Sequence, residues 1–156
     1  MARFFSVPFS AVAITTAQDL FAVTAGANKP ITLVEVVVEQ SSDFGDAAAE
    51  GLNILIKRGI GNTAGSAGTT VTPVAHNTGL AAAEATAKTN NTTQASSGSG
   101  SLTTIRAEAF NVQGGYQYLP VTDQRPVFLP GQSCVVSLSA PADSITGSGT
   151  LVFAED

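Results

Sequence analysis

An all-β, single-domain fold is what this sequence predicts: an antiparallel sandwich of jelly-roll type with one short peripheral helix. Three observations predict it. Segments rich in β-branched residues recur along the chain with a two-residue apolar period. Glycine, proline and Asn/Asp turn signals separate them at short intervals. The 156 residues suffice for one core and are short for two, so residues 1–156 read as one domain.

In chain order, the first strand runs from Phe4 to Thr15. Ser6, Pro8 and Ser10 break its apolar run, which therefore reads as a strand rather than a secretion signal. A second strand spans Leu20 to Val23, and the turn Gly26-Ala27-Asn28 leads to the clearest one, Ile31 to Gln40. There Val34, Val36 and Val38 share one face, and Leu33, Glu35, Val37 and Glu39 the other. A turn over Asp43-Phe44-Gly45-Asp46 precedes Leu52 to Arg58, with Leu52, Ile54 and Ile56 inward. Val71 to Val74 is a further strand. Gly79 to Lys88, with five alanines, Leu80 and Glu84, is the helix.

Ser101 to Phe110 follows as a strand whose face bearing Arg106 and Glu108 is expected to be wet. Tyr116 to Leu119, Pro126 to Leu129, Cys134 to Leu138 and Thr150 to Phe153 complete the set, with turns at Gly114-Gly115 and Pro130-Gly131. Eight or more short strands suit a jelly roll. Two low-complexity stretches, 59–72 and 89–101, carry little apolar area to bury. Ordering each residue costs about 1–2 kcal/mol of backbone entropy, so neighbouring subunits are expected to supply part of the compensating contacts.

Only 12% of residues are charged, against about 25% in a typical soluble domain. Ser, Thr, Asn, Gln and Gly must then solvate the surface, or neighbouring subunits must cover part of it. The net charge is −5, and the seven basic residues are spread along the chain, which excludes nucleic acid as a partner. No stretch approaches the roughly 18 apolar residues of a membrane helix, so no membrane partner is expected. The single Cys134 alternates with Ser133 and Val135 as a small buried hydrophobe and cannot form an internal disulfide.

With one histidine, His76, neither an ordinary zinc site nor a Ser-His-Asp set is in view, and no G-x-S-x-G elbow presents a serine. Gly59, Gly61 and Gly65 follow a strand but match neither G-x-G-x-x-G nor a P-loop. Asp43 and Asp46 lack the alternating ligands of a calcium loop. No catalytic, cofactor-binding or metal-binding residue is therefore assigned, no cofactor is expected, and the chain is not read as an enzyme. Phe4, Phe5 and Phe9 cluster at the N-terminus, and Tyr116 and Tyr118 share a strand face. These five are the candidate subunit or capsid contacts.

The segment from Asp19 to Gly59 resembles one in small virion proteins of tailed bacteriophages. The likeness continues in NNTTQA (90–95), in AEAFNVQGGYQYLP (107–120) and in the run from Arg125 to the end. The family is the capsid decoration, or cement, proteins. The resemblance implies a jelly-roll-like homotrimer on the outer surface of the virion head that clamps the major capsid protein. A tail, fibre or baseplate component is the alternative in the same kind of particle. A carbohydrate-binding jelly roll using the tyrosine pair is the alternative outside it.

Overall fold

A computed structural model describes residues 3–42 and 50–156. The turn expected at Asp43–Asp46 lies outside the described residues. Twelve strands are present: β1 (Arg3–Ile14), β2 (Gln18–Thr24), β3 (Ile31–Gln40), β4 (Gly51–Ile60), β5 (Thr69–Val71), β6 (Val74–Ala75), β7 (Thr86–Asn91), β8 (Ser101–Asn111), β9 (Tyr116–Tyr118), β10 (Val127–Phe128), β11 (Ser133–Leu138) and β12 (Ile145–Glu155). The first sheet runs β10-β3-β12-β1-β6, with β9 also on β3. The second runs β5-β7-β2-β11-β4-β8. All pairings are antiparallel.

The pairing is nested. β1 pairs with β12, β2 with β11, β3 with β9 and β10, and β4 with β8. An antiparallel ribbon folded back on itself in this way, with its pairs alternating between two sheets, is a jelly roll. The segment between β4 and β8 is an insertion. It lays β7 beside β2 and β5 beside β7 in the second sheet, and crosses to lay β6 beside β1 in the first.

The core forms where alternating apolar residues of both sheets meet. Phe5, Val7, Ile14, Leu33, Val36, Leu151 and Phe153 face Leu20, Phe21, Leu52, Ile54, Ile56, Val136 and Leu138, and all are buried. Phe9 of β1 meets Phe21 of β2 across the sheets, ring centroids 5.3 Å apart. Gly149 of β12 makes room for that pair, since a Cβ there would stand 2.9 Å from Phe9 and 3.2 Å from Phe21. Cys134 is buried in the same core, and burial pushes its thiol pKa up to about 12.

The helix expected over Gly79–Lys88 is absent. Residues 79–85 are turn, bend and irregular chain, and Thr86 opens β7. Ten residues fall short of the length at which helix propensity alone holds a helix in water. This stretch also offers no apolar stripe to dock, and pairing Thr86–Asn91 with β2 is the available alternative. One 3₁₀ turn, Thr122–Gln124, is the helical structure among the described residues.

The charged face of β8 is wet as expected, with Arg106 and Glu108 side chains 47% and 33% exposed, but it is not the outer face of the sheet. Ile105 is bulged out of the ladder, and Arg106 and Glu108 stand opposite the buried Ile56 and Ile54. They share the inner face of the sheet, at its open edge, rather than its outer face.

Candidate association surfaces

The two outer faces of the sandwich differ. In the second sheet, Val135 and Ser137 point outward by register, between the core residues Cys134, Val136 and Leu138, yet they are only 1% and 2% exposed. The low-complexity segments lie over this sheet. Thr63 exchanges backbone hydrogen bonds with Ser96, and Ser66 with Thr93, tying 61–68 to 92–98 as a lid. The Asp19 carboxylate of β2 accepts from the Ala95 N–H at 2.6 Å and from the Ser137 hydroxyl at 2.7 Å. Burial raises its pKa, against those two hydrogen bonds and the charge of Lys57.

Gly65 fits under the lid because it has no side chain: a Cβ there would lie 2.8 Å from the Thr93 carbonyl and 3.0 Å from Asp19. Gln18 donates to the Asn90 side chain at 2.9 Å. The domain's own polar seam thus supplies part of the contacts that order these segments.

The outer face of the first sheet has no such layer among the described residues. One cross-strand row reads Val127, Thr32, Ala154, Phe4, and the next reads Glu35, Val152, Ser6, Val74. Val127, Phe4 and Val74 are exposed, Phe4 at 37%. Glu35 is the single charge in the two rows, and it accepts from Gln117 at 3.0 Å. A nearly uncharged band therefore crosses four to five strands, exposed at Phe4, Val127 and Val74, while Ala154 and Val152 between them are buried.

The five candidate contact residues divide sharply. Phe4 lies in this band. Phe5 and Phe9 point the other way into the core. Tyr116 and Tyr118 are each 7% exposed and turn inward from β9 toward β8. Tyr116 packs against Phe110, centroids 5.6 Å apart, and the Arg106 guanidinium sits 5.1 Å over the Tyr118 ring. Both rings are therefore in use within the domain. Leu119, at the end of the 113–119 region expected to form contacts, is exposed, and Val74, Val127, Val121 and Leu129 are exposed apolar residues that the sequence reading did not single out. For Val74 and Val127 the missing information was which neighbouring strands they join.

A second surface is the open side where β8 overhangs β9. A groove of about 350 Å³ lies there, lined by Arg106, Glu108, Gln117, Tyr118, Leu119, Pro120, Val121 and Gln124. Arg106 and Glu108 form an ion pair at its rim. Among the described residues, no group of three or more His, Cys, Asp or Glu could hold a metal ion.

No protein-family model matches this chain, and no curated protein matches it. Among solved structures it is similar to a chain of infectious bursal disease virus, Gx strain, at 18% identity and a TM-score of 0.17. A chain of the Gt strain gives 20% identity and a TM-score of 0.14. In both cases 97% of this chain is covered, and it spans 37% of the length of the viral chain.

Proposed function

We propose that this protein is a structural component of a virion that decorates the outer surface of the head and clamps the major capsid protein, the role its resemblance implies. The observation that carries the reading is the set of exposed apolar residues Phe4, Val74 and Val127 on the nearly uncharged outer face of the first sheet, on a domain whose opposite face is covered in part by its own lid. Such a face favours a broad, largely uncharged contact over a pocketed ligand. Binding that requires the assembled lattice stabilises that lattice by mass action, and repeated copies multiply a modest contact.

Heads prepared without the protein test this. They are expected to assemble, to bind added protein on co-sedimentation, and to rupture at a higher temperature once it is bound. Phe4→Asp and Val74→Asp place charges in the band and are expected to weaken binding at least tenfold. Undiminished binding by both variants rules out this face. Heads that fail to form without the protein rule out decoration in favour of a shell role.

A further inference from the structure

The sheet edges are unequal. β5, β6, β9 and β10 are two or three residues long, whereas β8 is eleven and pairs on one side only, with β4. Its free side is an open edge along the whole strand, unlike that of β1, which β6 covers at Phe5 and Ser6 and which is broken by a bulge between Phe9 and Val12. A bare edge as long as that of β8 is a template for any extended chain. Two features restrict it. The bulge at Ile105 bends the strand, and Arg106 and Glu108 place opposite charges on the inner face, where an incoming strand's side chains would lie. Arg106 and Glu108 pair with each other, and an apolar residue opposite either would take that pair partly out of water without adding a partner to it. The edge therefore accepts a strand that brings an acid opposite Arg106 and a base opposite Glu108.

β8 itself is such a strand. In antiparallel pairing about a dyad through Ala107, Arg106 stands opposite Glu108 of a second copy, and Glu108 opposite its Arg106. The result is an alternating quartet of charges, at the Cβ separation of about 4.5–5.5 Å typical of cross-strand pairs. A dyad through Arg106 sets arginine against arginine, and one through Glu108 sets glutamate against glutamate, so the charges select one register. The flanking pairs, Ala107 with itself and Ile105 with Ala109, impose little bulk. Leu119 and Val121 are exposed in the groove beside these charges and would be covered by the same contact.

We propose that two copies of this chain associate through β8 in that register, joining their second sheets into one. The contact is two-fold, unlike the three-fold association that the resemblance implies, and it does not depend on binding to a head.

Sedimentation of the full chain, from low to high micromolar concentration in low salt, tests it. The wild type is expected to form a dimer. Arg106→Glu and Glu108→Arg each set like charges opposite one another and are expected to weaken association at least tenfold. The double exchange R106E/E108R rebuilds the quartet with signs reversed and is expected to restore the dimer. Unchanged thermal denaturation will show that each variant is folded, as substitution at side chains 47% and 33% exposed should allow. A monomer at every concentration overturns the proposal. So does a dimer or trimer indifferent to the single substitutions, or a double exchange that fails to rescue.

Discussion

Glu155 joins three distant parts of the chain through one carboxylate. Its Oε1 accepts from the N–H groups of Glu84 and Ala85 at 2.8 and 2.9 Å, and its Oε2 pairs with Arg3, with the Lys29 ammonium 3.9 Å away. The side chain is fully buried. Removing one partner of a buried ion pair costs about 3–5 kcal/mol. Glu155→Ala should therefore lower Tm by roughly 10 °C in a domain of this size, and Glu155→Gln, which keeps an acceptor, by less; thermal denaturation followed by circular dichroism checks both.

Asp19 makes a prediction of opposite sign to the usual carboxylate. Its pKa is raised by burial in the folded state, so the folded chain holds that proton more tightly than the unfolded chain. Its contribution to stability is present below the unfolded value of about 4 and is lost as pH rises through the folded value. Urea unfolding at a series of pH values should show this decline in the wild type and not in Asp19→Asn; parallel pH profiles would contradict it. Neither carboxylate was legible in the sequence, because their partners lie 70 to 152 residues away. The division of the phenylalanines was legible in principle. Phe5, Val7 and Phe9 alternate with Phe4, Ser6, Pro8 and Ser10, so a period of two already sets Phe4 apart.

At the scale of elements, what could be read depended on apolar periodicity. β3 spans Ile31–Gln40 as expected, but a register shift at Val34 puts Leu33 on the core face with Val36 and Val38 rather than opposite them. β4 follows from Leu52, Ile54 and Ile56. β7 could not be read in this way. Its sequence TAKTNN has no apolar period, and it is a strand because β2 and β5 offer it two ladders. The lid escaped for a related reason: backbone bridges and one buried carboxylate hold it, not apolar burial.

Hydrogen exchange on the isolated protein should accordingly find the amides of Thr63, Ser66, Thr93, Ala95 and Ser96 protected, though less than those of β3. Rapid exchange at all five would return the ordering of these segments to neighbouring subunits. Gly68→Ala is expected to loosen the same amides. Its Cβ would stand 2.4 Å from the Thr89 carbonyl and 2.8 Å from the Asn91 nitrogen, backbone atoms that cannot rotate away. A cost of about 1–3 kcal/mol is typical of such overpacking.

For the molecule as a whole, the nested pairing sets the order in which it can fold. The first strand pairs residue by residue with the last, from Arg3 with Glu155 to Ile14 with Ile145. Topologies of such long sequence separation fold on a timescale of milliseconds to seconds, and stopped-flow refolding should place this chain at the slow end of that range. During synthesis the separation becomes a waiting time. β1 leaves the ribosome early, but until β12 appears it has only the two residues of β6 to pair with. At about 5–20 residues per second that interval is on the order of ten seconds, with Phe5, Val7 and Phe9 still uncovered. Yield in a heterologous host should therefore depend on chaperone supply and growth temperature more than on the stability of the finished fold.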